Sequence, residues 1–450
     1  MHKQALTRAG RLRASRALLT VGVVLAPFIL AACATSTPAA ELSSAPSTAA
    51  SAAVPVDCKD TTVSVQSWGT DGSGTQAVLD TAAAYSAQTG NPTEVNSVAI
   101  ETFRTQLPTY LTSENPPDAL KWLAGSTSKQ YADAGLLMDV SDLWANQLKD
   151  FSPALKSLST DSSGKQFFVP TNYYWWGMFY RPSVFQEHGY AVPTTWEEFT
   201  TLSKKMQDDG LTPIAIGTSG SEWVATAWFD YLDLRINGAE FHRELLAGKH
   251  KFTDPEVRKV FEYWAQIQPY MDPNSSGQGF VDALTPFFQG KAGMTLMGAF
   301  LPVPEAIKDD IDFFAFPMID PNIPRAEEAP TDGLFASAKS GNPECAKEFL
   351  AGFVTPENQQ AFLSAGGGIQ IGANPAIPDS FYPPLAVKGR EHLQTAAEIT
   401  QFFDRDSSQE FAGPANAANA QFIVQPDKVD EILNTWQAAA EKVLASQPTQ

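Results

Sequence analysis

Flat aromatic rings and carboxylates stand where the apolar runs of this sequence break off. Trp68 and Asp71 follow the alternating run 61–67, Glu101 follows the run 92–98, and Trp122 lies at the end of the run 119–123. Asn172, Tyr173, Tyr174 and Trp175 come as one block, with Trp176 behind them. Trp223 follows the loop 217–222, and Phe300 follows Met297-Gly298. Asp332-Gly333 opens another apolar run, and Asp404 sits among Phe402, Phe403 and Arg405. Rings offer apolar faces, while carboxylates, amides and free backbone N–H groups take hydroxyl edges. Such a set suits the non-covalent grip of a molecule with C–H faces and a hydroxyl fringe, as sugars have. Trp144, Trp196, Trp264 and Trp436 sit in helix-periodic segments and are expected in the core. Of Trp175 and Trp176, one is expected to face the ligand and the other to pack.

Bond-making chemistry fits less well. The five histidines are scattered, and none has a partner at i+4, so no zinc site is expected. Gly217-Thr218-Ser219-Gly220 misses the G-x-S-x-G elbow by one position, and no phosphate loop is present. Gly72-Ser73-Gly74-Thr75-Gln76-Ala77, with Glu94 further on, fits G-x-G-x-x-A. The plainer reading is a helix N-terminus whose free N–H groups face a ligand. Neither a cofactor nor a metal is expected. Paired carboxylates would suit a glycoside hydrolase, but Glu197-Glu198 read as first-turn helix residues and the other acids are isolated. An exported hydrolase stays as an alternative.

Positioning these groups takes a large body. The chain has 450 residues, 43% of them hydrophobic, enough for two or three domains. Its net charge is −19. Lys3, Arg8, Arg11, Arg13 and Arg16 precede an apolar stretch that ends in Leu30-Ala31-Ala32-Cys33. This is the pattern of an export signal. Its removal would leave a still more acidic chain that repels nucleic acid. The tetrapeptide looks like a bacterial lipobox, with Cys33 as the lipidated new N-terminus. Residues 33–56, rich in Ser, Ala, Thr and Pro, read as a tether. Cys58 and Cys345 remain, and an exported chain with two cysteines can form one disulfide.

From residue 57 strands and helices alternate: strands over 61–67, 92–98 and 119–123, helices over 76–88 and 102–113. Such alternation implies an α/β body with ligand loops at strand ends. Residues 164–217 read as a strand ending at Pro170, the aromatic block, a second strand over 178–180, and two helices. The second of these helices is opened by Thr194-Thr195 with Glu197-Glu198 in its first turn. Two bulky strands around a polar-aromatic block suggest a crossing between lobes. Further helices are expected over 221–234, 253–269, 345–354 and 429–444, with a return crossing at 331–338.

The order GKQFFVP, FYRPSVFQEHGY, VPTTWEEF, GLTPIAIG resembles the extracellular solute-binding proteins of ABC importers, in particular the carbohydrate-binding group of maltose-binding protein. PPDALKW, YADAGLL, GKAGMTLMG and the helix after Gly341-Asn342-Pro343 extend the likeness over nearly the whole chain after the tether. Arg181 stands where the family usually has Asn, and Phe300 where it has Trp. The resemblance implies an α/β, periplasmic-binding-protein-like fold of two discontinuous lobes around a cleft. Residues 1–32 would be the signal and 33–56 the tether. Residues 57–172 and 332–374 would form one lobe, and 173–331 and 375–450 the other. Cys58 and Cys345 would fall in the same lobe. Trp122, Tyr174, Trp223 and Phe300 match positions that contact sugar in maltose-binding relatives; Trp68, Asp71 and Glu101 match further ligand positions, and Asp404 is placed by its aromatic setting. The implied protein is a monomeric, lipid-anchored receptor outside the cytoplasmic membrane. It would capture a carbohydrate, with an oligosaccharide as the expected size, and pass it to an ABC permease. A polyamine, phosphodiester or peptide is the alternative solute.

Overall fold

The computed structural model describes residues 57–69, 72–366 and 369–446. The leader, Cys33, the tether and Asp71 lie outside the described residues. Twelve strands form three sheets among these residues. The first has the order β11 (Ile371–Gly372), β4 (Val169–Tyr173), β10 (Thr331–Ala336), β3 (Ala119–Leu123), β1 (Val63–Gly69) and β2 (Thr93–Ala99). The second has the order β6 (Thr212–Ile214), β7 (Ala292–Gly298), β5 (Trp176–Tyr180) and β8 (Asp312–Phe314). A short parallel pair joins β9 (Ala326–Glu328) to β12 (Glu398–Thr400). Together with the intervening helices this is the α/β architecture expected from the sequence.

The chain leaves the six-stranded sheet at Tyr173 and enters the four-stranded one at Trp176. It returns through Ala329-Pro330 to β10. The two passages run side by side: Thr331 pairs with Tyr173, and the Tyr174 N–H donates to the Pro330 carbonyl at 3.1 Å. The strand expected to end at Pro170 instead begins at Val169 and runs through the first two residues of the aromatic block. Pro170 is tolerated inside it, opposite Gly333 where the register of β4 and β10 shifts. Gly333 is there for closeness: a Cβ would lie 2.3 Å from the Val169 carbonyl oxygen.

Helix starts follow local chemistry. The helix Trp196–Asp208 is opened by a capping box, with Thr195 accepting from the Glu198 N–H and Glu198 accepting from the Thr195 N–H, each at 3.2 Å. The helix Trp223–Ile236 is apolar almost all round, and every residue after Trp223 is buried, as a central helix requires. It carries Asp230, Asp233 and Arg235 into the interior. Asp233 pairs with His242 at 2.9 Å, and Arg235 with Glu327 at 2.7 Å. Burial works against the His242 charge, but the Asp233 hydrogen bond and the charges of Asp230 and Glu328 outweigh it and raise its pKa to about 9. Burial likewise favours a neutral Glu327, yet Arg235, His392 and Arg325 hold it at about 2.

Aromatic rings dominate the core around the four-stranded sheet, where Trp175, Trp228, Trp264 and Trp436 are fully enclosed. Two smaller cores flank the six-stranded sheet. One holds Cys58 and Cys345, which are joined as a disulfide that ties the start of the described chain to the helix Pro343–Phe353.

Candidate ligand cavity

A cavity of about 120 Å³ is lined from both large sheets and from the passages between them. One wall is aromatic. Trp176 opens β5, and its ring lies 4.7 Å from Phe402, 5.8 Å from Phe300 and 6.0 Å from Trp223, each edge to face or nearly so. Tyr174 meets Phe300 edge-on at 5.3 Å. Gly298 allows this crowding, since a Cβ there would sit 2.5 Å from the Phe300 ring. Trp223 starts its helix, and Trp223, Thr226, Ala227 and Asp230 all line the cavity. Their spacing puts them on one helical face.

The other wall is ionic. Arg405 donates to Asp332 at 2.9 Å, to the Thr331 carbonyl at 3.0 Å and to the Tyr174 hydroxyl oxygen at 2.6 Å. Burial opposes the charge on Arg405; Tyr174, Asp332 and Asp404 together outweigh it and raise its pKa. Burial also raises the Tyr174 hydroxyl, which stays protonated. Arg104 reaches Asp404 at 3.4 Å. The Lys121 ammonium lies 4.0 Å from the Trp68 ring centroid, a cation–π approach that fixes the indole. Three basic side chains, Arg104, Lys121 and Arg405, and three acidic ones, Asp230, Asp332 and Asp404, thus line one cavity.

The residues singled out from sequence divide. Trp68, Tyr174, Trp223, Phe300, Asp332 and Asp404 line the cavity. Trp122 does not: it is fully buried, stacked on Phe103 at 5.0 Å and edge-on to Trp68 at 6.3 Å. The period of a strand explains the exchange, because Lys121 and Leu123 take the cavity side of β3 and Trp122 the opposite face. Trp175 packs rather than lines; its ring lies against Gly389, where a Cβ would come within 2.1 Å, and Trp176 takes the cavity. Asn172 stands one layer back and donates to Gln370, which does line it, at 2.7 Å. Tyr173 and Gly333 pack outside the lining. Glu101 is half exposed beside Arg104 at 3.5 Å, and burial raises its pKa more than Arg104 lowers it. Arg104, Lys121, Asp230, Gln370 and Arg405 were not singled out from sequence. Asp230 and Arg405 were findable, the first as an acid in an apolar helix and the second as a base in an aromatic run. Among the described residues, no group of three His, Cys, Asp or Glu side chains could hold a metal ion.

Comparison with known proteins gives a consistent placement. Residues 66–360 match the family model of bacterial extracellular solute-binding proteins. A solved structure of the bacterial solute receptor AcbH, described as having an exclusive preference for β-D-galactopyranose, superposes with a TM-score of 0.81 at 31% identity. The match covers 85% of this chain and 99% of that one. A probable sugar-binding periplasmic protein of Rhizobium meliloti is 25% identical over 76% of this chain and 82% of its own length. An ABC transporter extracellular-binding protein of Pyrococcus horikoshii is 25% identical over 58% of this chain, which spans 60% of that relative's length.

Proposed function

The chain belongs to the bacterial extracellular solute-binding proteins, and on that premise we propose that it captures a neutral sugar between its lobes and delivers it to the permease of an ABC importer. The observation that carries this reading is the make-up of the cavity, a cluster of rings lined together with acidic and basic side chains in equal number, three of each. Rings take the C–H face of a sugar, and paired charges take its hydroxyls without demanding a net charge of the ligand. A polyamine would call for an excess of acids, and a phosphodiester for an excess of bases.

Size narrows the class. The cavity is small, about 120 Å³, which favours a ligand with few rings. We read a monosaccharide in place of the expected oligosaccharide, in keeping with the sugar named for AcbH. Residues 57–172 with 332–374 form one lobe in this reading and 173–331 with 375–450 the other, and they close on the ligand about the passages at 173–176 and 329–331. Export through the leader and lipidation at Cys33 hold the receptor at the outer face of the cytoplasmic membrane. The bound sugar leaves unaltered.

A thermal-shift screen tests the proposal with D-galactose, D-glucose, D-xylose, raffinose and spermidine. A ligand at a hundred times its Kd stabilises by about 2.7 kcal/mol. A shift with a monosaccharide is the expected result. A shift with spermidine alone would overturn the neutral-sugar reading, and a shift with raffinose alone would overturn the single-ring size.

A further inference from the structure

Asp230 is fully buried in the middle of the helix Trp223–Ile236, and its two oxygens have different fates. Oδ2 accepts the Phe403 N–H at 3.0 Å and so holds the segment that carries Asp404 and Arg405. Oδ1 is buried without a hydrogen-bond partner, and the residue lines the cavity. The other two carboxylates of the lining are engaged, Asp332 by Arg405 at 2.9 Å and Asp404 by Arg104 at 3.4 Å. Asp230 has no ion pair of its own among the described residues. A buried polar oxygen without a partner is destabilising, and one that belongs to a cavity-lining residue is open to a partner supplied by a ligand. Holding Phe403 requires only one oxygen, so the structural role leaves Oδ1 unexplained.

Charged groups approach Asp230 from three neighbouring elements: His242 on the helix Gly238–Leu246, Glu328 on β9, and Asp404 beside Phe403. Burial, the largest influence, pushes the Asp230 carboxyl well above the usual carboxylate range, against the pull of His242. Trp223 and Asp230 stand seven residues apart on the cavity-facing stripe of one helix. That is about 10 Å along its axis at 1.5 Å per residue, room for a pyranose ring with its hydroxyls between a flat platform and a carboxyl.

Resting on the sugar reading above, we propose that Asp230 is a specificity-determining ligand residue: its Oδ1 shares a hydrogen bond with one particular sugar hydroxyl inside the cavity. The preference for that hydroxyl is then set on the aromatic wall, by the helix that also supplies Trp223. A site built around a hydroxyl discriminates strongly against an analogue that lacks it, because its own buried group is left unpaired.

The experiment is a calorimetric cycle on the full folded body, using whichever of D-galactose, D-glucose, D-mannose and D-xylose binds tightest together with its monodeoxy derivatives. The native protein is expected to lose about 10- to 100-fold in affinity for one deoxy sugar through Asp230. Asp230→Ala should lose as much for the parent sugar, yet bind that one deoxy sugar no worse than the parent. Penalties at the other deoxy positions should persist unchanged. Asp230→Asn keeps an acceptor for the Phe403 N–H and carries the same cycle where the alanine variant does not fold. If both variants weaken every deoxy sugar by one common factor, or leave affinity unchanged, the assignment of Asp230 is overturned while the sugar reading stands. If no sugar binds the native protein, the sugar reading falls first and the assignment with it.

Discussion

The four-stranded sheet and its central helix present Trp176 and Trp223 to the cavity, while the charges come from Lys121 and Asp332 of the six-stranded sheet, which also presents Trp68 and Leu123, and from Arg104, Asp404 and Arg405 on the helices Ile100–Thr112 and Phe403–Asp406. The rings of Trp176, Trp223 and Phe300 are placed by packing on one another within about 6 Å. That arrangement responds little to pH or salt, and it supplies area for a sugar face. Arg405, Asp332, Arg104 and Asp404 are placed by pairing with one another. Their orientation is set before a ligand arrives, so little ordering is left for the moment of binding. The difference teaches a division of labour: the aromatic wall provides affinity, and the ionic wall provides orientation. Asp230 is the exception, a carboxylate on the aromatic side.

The largest way to break the comparison is to damage what stands behind each wall. Trp122→Ala should cost about 3–5 kcal/mol of folding stability, because the ring is fully buried against Phe103 and Trp68. Affinity of the molecules that still fold should hardly change. Denaturation and calorimetry on the same sample check both halves. On the ionic side, Asp332→Ala leaves Arg405 buried without its carboxylate. A loss of about 3–5 kcal/mol is expected, with the Tyr174 contact to Arg405 no substitute.

Protons sharpen the contrast, because the titrating groups lie behind the aromatic wall. His242 is raised from its ordinary 6.5 to about 9, so its contribution is fully present below pH 6.5 and lost as pH rises through 9. The size is on the order of 3 kcal/mol. Burial also raises the Glu328 and Asp230 carboxyls, which adds a loss of the same sign as pH rises out of the acid range. Glu327, held at about 2, acts only in strong acid, where its contribution disappears as pH falls. The melting temperature should therefore fall between pH 6 and pH 9, and His242→Asn should flatten that slope. A melting temperature that rises over this window would show that the cluster does not carry these charges.

Trp223→Ala tests the aromatic wall directly. The ring is only half-buried, so apo melting should move little. Binding should weaken by about 1.5–3 kcal/mol, roughly tenfold to a hundredfold in Kd. Equal loss of stability and affinity would make this ring structural. The smallest effect is expected at Arg104→Ala. Its 3.4 Å pair with Asp404 is long for a charged hydrogen bond, and half-exposed Glu101 approaches it almost as closely at 3.5 Å, which suggests about 1 kcal/mol or less in affinity. That part should shrink as salt rises, whereas the Trp223 effect should not.

The sequence by itself determined the class of fold and the kind of surface. Alternating runs ended by Gly, Pro and capping residues are local signals, as Thr195 and Glu198 show by opening the helix where it was expected. The aromatic block at 172–176 marked the passage between sheets, although the passage itself is buried and Trp175 belongs to the core. Tertiary structure decided which member of each pair faces the ligand. Trp122 and Lys121, like Trp175 and Trp176, are adjacent along one chain, and neighbours on an extended segment point to opposite sides. Which side holds the cavity depends on the sheet's partners, hundreds of residues away. Asp230 and Arg405 became site residues only because Phe403, Asp332 and Tyr174 are brought to them from distant segments. A carboxylate's meaning lies in what it pairs with, and pairing across folds of the chain is not written in local spacing.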